Sequence, residues 1–226
     1  MPGNLKEAIT ESIKIFSTNP EYAYICGSVV SSFPYPFIVQ FAQSIIGQEL
    51  RKQSLEQEGK LPNMLVGCIG GGSNFLGLIH EFLDDKEISK VGVEASETAA
   101  LSNGTPGIMQ GMKTYMLQNS DGSKSLGGAS LGAGIQYFSV GPQHSFLKDQ
   151  GAVKYTSATD DEILDAYKLI ARTEGICSAL EPMAAAAYVI KTAPKKPKDY
   201  IICLSLCGRG EKDLDTIQEH IGKDFE

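Results

Sequence analysis

The chain has 226 residues, 42% of them hydrophobic and 21% charged, enough to bury one ordinary core with part of a second domain. Its 27 acidic residues outnumber its 20 basic ones, and the net charge of -7 argues against attraction to nucleic-acid backbones or anionic membranes. The five cysteines, Cys26, Cys68, Cys177, Cys203 and Cys207, form no CxxC pair and no metal-ligand spacing, so they read as reduced thiols of a cytoplasmic protein.

The opening MPGNLKEAITES has neither the basic nor the apolar segment of an export signal, and no apolar run reaches the length of a membrane span. Residues 5–17 place Leu5, Ala8, Ile9, Ile13 and Phe16 on one stripe, which predicts a short helix before the turn-forming Asn19-Pro20. YAYICGSVV then reads as a β-like run. Two prolines in SSFPYP hold the backbone extended before a long helix that Gly59 ends. NMLVGCIGGGSNFLGLIHEFL reads as buried strand, glycine-rich loop and amphipathic helix, and VGVEAS as the next buried strand, which together make a βαβ unit. From Asn103 to Gly151 the periodicity weakens and Gly, Ser and Gln accumulate, predicting loops and one short strand packed around a site. Thr159-Asp160-Asp161-Glu162 is a capping box that starts a helix over 160–174, closed by Gly175. Pro182 suits the first turn of an alanine-rich helix ending near Ala193. A strand over 200–206 follows, then the Gly208-Arg209-Gly210 turn and a last helix with Leu214, Ile217 and Ile221 on one side. This alternation predicts an α/β fold with a mostly parallel sheet and flanking helices.

Gly70-Gly71-Gly72-Ser73-Asn74 lies between strand and helix, where unhindered amides and the positive helix end can surround a phosphate and Ser73 can add a hydroxyl donor. It is no Walker A loop, since no Gly-Lys-Ser/Thr follows, and no Rossmann fingerprint, since Phe75 stands where the last glycine belongs. Taken alone, the loop allows a second reading, a tight turn whose glycines serve only packing.

GCIGGGSNFLGLIHEFLDD resembles the phosphate loop and following helix of the tryptophan synthase β family. EYAYICGSVVSSFPYPFIVQFAQSIIGQE, VGPQHSFLKDQGAVKYTSATDDEILDAYKLIARTEGI and CGRGEKDLDTI are similar to other family segments in the same order, so the resemblance covers nearly the whole chain as the carboxy-terminal part of such a protein. It implies the fold-type II pyridoxal-phosphate architecture, with residues 1–42 a remnant of the amino-terminal domain and 43–226 the carboxy-terminal, phosphate-binding domain. It also implies a β-replacement that converts L-serine and indole to L-tryptophan and water.

By position, the resemblance assigns Gly70, Gly71, Gly72, Ser73 and Asn74 to the cofactor phosphate, with Ser28 donating in place of the usual threonine. Glu181 falls beside the ring's phenolic side, although a carboxylate at a helix start is also favoured by the macrodipole alone. Cys207 replaces a serine at the pyridine nitrogen; a thiol there is a weak partner, and a small apolar filler at a strand end is the other reading. Backbone carbonyls of Gly70, Tyr137 and Ser139 fall where the family binds a monovalent cation. Gln136 stands for an aspartate on the substrate side, and a neutral amide cannot reproduce a charge-dependent gating contact. Further departures are Ser31-Ser32-Phe33-Pro34 and the Pro182-Met183-Ala184 continuation after Glu181.

The family's cofactor-bearing lysine follows a histidine, whereas His80, His144 and His220 are followed here by Glu, Ser and Ile. The assisting glutamate also has no counterpart, so these residues are expected to be inactive alone. Lys113 and Lys148 read as surface charges, not substitutes. The resemblance further implies a homodimer and an α-chain partner for the complete protein, with apolar surface left uncovered here. Three functions remain in competition: a fragment of a catalytic β chain, a non-catalytic descendant that binds phosphate ligands or a partner, and one half of a split enzyme.

Overall fold

A computed structural model describes residues 5–122 and 128–221. In chain order it contains α1 (Leu5–Thr18), α2 (Tyr35–Gln43), α3 (Ile45–Glu58), β1 (Met64–Cys68), α4 (Ser73–His80), β2 (Ser89–Ala95), the single turn α5 (Ala100–Asn103), β3 (Thr105–Met109), β4 (Met112–Met116), α6 (Pro142–Asp149), β5 (Lys154–Ala158), α7 (Asp160–Glu174), α8 (Glu181–Thr192), β6 (Ile202–Leu204) and α9 (Leu214–Ile221).

Four strands form a parallel sheet in the order β5-β2-β1-β6, while β3 and β4 make a separate antiparallel hairpin. Alternate residues of the central strands face opposite layers. Met64, Val66 and Cys68 of β1, with Val91, Val93 and Ala95 of β2, join Ile163 and Tyr167 of α7, the alanines of α8, and Ile217 and Ile221 of α9 in one core. Leu65 and Ile69 face a second core with Val39 of α2, Phe75, Leu76 and Ile79 of α4, and Leu147 of α6. The sheet is thus covered on both faces, which explains why β1 reads as an unbroken apolar run; β2 is as buried but carries Lys90 and Glu94.

This topology sets the place of a binding crevice. The chain leaves β1 through α4 on one face to reach β2, and returns through α7 and α8 on the other face to reach β6 on the far side of β1. Connections diverge at the carboxy ends of β1 and β6, the position at which open parallel sheets bind ligands.

Several expectations change. YAYICGSVV forms no regular strand: a strand exists only by pairing, and none of the described strands pairs with residues 22–30. Ile25 there is 93% exposed. The long helix is two, since Ser44 ends α2 and begins α3; Gly59 ends α3 in the left-handed conformation as expected. The stretch 103–151 holds a hairpin and α6 in place of one short strand. α6 hides from periodicity because its buried face includes His144 and Ser145 as well as Leu147. Residues 123–127 of that stretch, and the Leu5 side chain of the α1 stripe, lie outside the described residues.

Candidate functional site

A cavity of about 250 Å3 opens at the diverging ends of β1 and β6. Its wall comprises Cys68, the loop Gly70 to Asn74, Gly134 and Ile135, Glu181, Cys207 and Gly208, and Lys212. The glycine loop, Glu181 and Cys207, far apart in sequence, therefore meet in one place.

The loop owes its path to its glycines. A Cβ on Gly70 would fall 2.0 Å from the Gly134 carbonyl oxygen, and one on Gly71 would fall 2.9 Å from both Ser28 Oγ and Val30 Cγ2. Gly72 adopts φ 99°, and a Cβ there would stand 2.2 Å from the His144 ring. Packing and exposure of amides are thus served together, and the two readings of the loop do not exclude each other. α4 begins at Ser73 with no side-chain cap, so its first amides stay open to a ligand. Ser28, half-buried, lies against Gly71 and accepts from the Val30 amide at 3.0 Å.

His144 supports the loop from behind. It is fully buried, faces the Gly72 carbonyl through Nε2 and the Tyr155 hydroxyl through Nδ1, each at 2.8 Å, and stacks on Phe75. The carbonyl can only accept, so Nε2 carries the proton and Nδ1 accepts from Tyr155. Burial keeps the ring neutral by lowering its pKa to about 4, against the Gly72 hydrogen bond.

On the opposite wall Glu181 opens α8 and is buried. Its Oε1 accepts from the Gly134 amide at 2.7 Å and from Lys212 Nζ at 2.8 Å. Lys212 also donates to both oxygens of Asp213, and Asp213 Oδ2 accepts from the Leu180 amide at 2.8 Å. Asp213 and Lys212 thereby hold the residue before Glu181 and the carboxylate itself. Burial alone would lower the Lys212 pKa; hydrogen bonds and charge from Asp213 and Glu181 outweigh it and hold the ammonium above its ordinary value. Its amine is a poor nucleophile in that state. Lys212 escaped the sequence reading; the signal was a cation placed just beyond a Gly-Arg-Gly turn at a strand end.

Two buried oxygens in the cavity-lining residues, Asn74 Oδ1 and Glu181 Oε2, have no hydrogen-bond partner among the described residues. Such orphans are uncommon in folded proteins and suit a wall completed by a polar ligand. The wall can hold an anion at the loop and accept a hydrogen bond from ligand at Glu181.

Other expected positions lie elsewhere. Gln136 is half-buried and turns its amide to the Ser130 carbonyl, next to the cavity residues Gly134 and Ile135. Tyr137 and Ser139 are buried beyond that turn, Tyr137 beside Phe138 with ring centres 4.9 Å apart and Ser139 bridged to Met116. Lys113 is exposed on the hairpin. Lys148 caps the Leu101 carbonyl and lies 3.8 Å over the Tyr115 ring. No cluster of three or more potential metal-ligating His, Cys, Asp or Glu occurs among the described residues, and no described helix is long and apolar enough to cross a membrane.

The family profile of pyridoxal-phosphate dependent enzymes matches residues 2–208. The chain is 46% identical to the tryptophan synthase beta chain of Dinoroseobacter shibae over 99% of its own length and 57% of that protein's. It is also 46% identical to that of Allorhizobium ampelinum, over 97% of its length and 56% of that protein's. The chain thus spans a little over half the length of these curated relatives. Among solved structures, a threonine deaminase from T.th. matches with a TM-score of 0.56 at 18% identity, covering 76% of this chain and 57% of that one, a likeness of fold.

Proposed function

Because the chain belongs to the pyridoxal-phosphate dependent enzyme family, we propose that it is the carboxy-terminal part of a tryptophan synthase β chain and serves the β-replacement that joins L-serine and indole into L-tryptophan. The observation that carries this reading is the convergence of the glycine loop, Glu181 and Cys207 on one cavity at the diverging ends of β1 and β6.

The residues present fit pyridoxal phosphate. Open amides from Gly70 to Asn74, with the Ser73 hydroxyl and Ser28 against Gly71, suit the phosphate. With the cofactor bound as the family resemblance implies, the orphan Glu181 Oε2 would offer an acceptor on the ring's phenolic side and the Cys207 thiol would stand at the pyridine nitrogen. When bound, the cofactor supplies the electron sink for the chemistry. This chain's own part is to hold the phosphate, keep Glu181 aligned through Lys212 and Gly134, and set a neutral partner at the ring nitrogen. Gln136 belongs to the substrate side, and the carbonyls of Gly70, Tyr137 and Ser139 to a monovalent-cation site. The proposed division puts residues 1–42 in the amino-terminal domain and 43–226 in the carboxy-terminal one. A homodimer, an α-chain partner and a cytoplasmic location complete the reading.

The family's cofactor-bearing lysine has no counterpart in these residues, so turnover by them alone is not expected. Adding pyridoxal phosphate to the purified chain, trapping with borohydride and mapping by peptide mass tests this. Reversible binding with no stoichiometric lysine adduct and no tryptophan from serine and indole is expected. A single stoichiometric adduct with tryptophan formation, or no binding at all, would overturn the reading.

A further inference from the structure

Two thiols, Cys68 and the Cys207 that the catalytic reading sets beside the ring nitrogen, meet in the cavity wall. Cys68 ends β1, Cys207 follows the end of the neighbouring parallel strand β6, and their sulfurs stand 3.5 Å apart. Closing the gap to a bond of about 2.05 Å needs a small side-chain movement. Gly208, next to Cys207 and at φ 76°, borders the site on the cavity side.

The two sulfurs differ in access. Both line the cavity, but Cys68 is 2% exposed whereas Cys207 is half-buried. The hydrogen bond with Cys68 lowers the Cys207 pKa against burial and the charge of Glu181, with Lys212 helping to lower it. A more exposed sulfur 3.5 Å from a buried one is the arrangement of an attacking and a resolving cysteine.

We propose that Cys68 and Cys207 form a dithiol site for hydroperoxide-class oxidants, which closes to a disulfide in the cavity floor. The Cys207 thiolate attacks one oxygen of hydrogen peroxide, the O–O bond breaks, and hydroxide leaves and is protonated to water. The resulting sulfenic acid is attacked at sulfur by Cys68, the S–O bond breaks, and the second oxygen departs as water with the Cys68 proton. Two thiols lose two electrons and one peroxide becomes two waters. The proposal does not depend on the catalytic reading, because the link forms or fails without pyridoxal phosphate.

The wild-type chain suffices for the test. It is treated with about one equivalent of hydrogen peroxide, blocked with N-ethylmaleimide, digested without reductant and mapped by mass. The expected result is a joined pair of peptides carrying Cys68 and Cys207, two hydrogens lighter than the free pair and separated again by dithiothreitol. Cys207→Ser and Cys68→Ser should each lack it. Alkylated Cys68 and Cys207 after oxidation of the other thiols, or Cys207 joined to any other cysteine, would overturn the proposal.

Discussion

His144 is held neutral by its surroundings, and stability against acid follows from that. Its pKa in the folded chain is about 4, against an ordinary 6.5. As pH falls through about 6.5 the unfolded chain binds a proton that the folded chain refuses until about 4, so acid in this window favours unfolding. The contribution is fully present above pH 6.5 and amounts to about 2 kcal/mol lost by pH 5. Urea titrations at pH 7.5 and 5 measure it, and the drop should be smaller in His144→Asn by about that amount. An equal drop in both proteins would mean that His144 is not the group concerned. The same ring stands where a Gly72 side chain would go, which ties the loop's conformation to a residue 72 positions away.

The element whose start the sequence states most openly is α7. The Thr159 hydroxyl accepts from the Glu162 amide at 3.3 Å, and the Glu162 carboxylate accepts from the Thr159 amide at 3.2 Å. Thr159→Ala should lower stability by about 1 kcal/mol, read as a shift of the urea midpoint with unchanged slope; no shift would mean that the box contributes nothing in this context. α7 was legible because cap, apolar face and closing Gly175 are all local signals. β1 was legible because burial on both faces makes it continuously apolar, and β2 through its Val-Gly-Val run, although Lys90 and Glu94 are buried within it. β5 was not, since this edge strand begins with the exposed Lys154 and is fully buried only at Ala158. In the site, the loop and Glu181 could be placed by resemblance, whereas the Lys212 contact with Glu181 depends on α8 and the turn after β6 coming together in three dimensions.

Taken whole, the molecule joins the proposed phosphate cradle to a four-stranded parallel sheet, and binding there should stabilise everything at once. A ligand at about 100 times its Kd adds about 2.7 kcal/mol to unfolding, enough to raise the Tm by several degrees in a chain of this size. Scanning calorimetry with pyridoxal phosphate should show that rise, and pyridoxal lacking the phosphate should leave the Tm near its unliganded value. Equal shifts from both would place the affinity in the ring instead of the loop. Elsewhere Phe33 and Phe41 are 85% and 76% exposed, an apolar rim unlike the covered faces of the sheet.

The cavity has one wall after β1 and another after β6, and its two sulfurs are separated by 139 positions along the chain. Bringing such distant segments together requires closing a very long loop, so the crevice has the high contact order of the slowest-forming parts of a fold. While the polypeptide is being synthesised, β1 has an unpaired edge and the glycine loop faces only half a pocket until β6 has emerged. Ligand competence therefore appears at the end of folding and marks its completion.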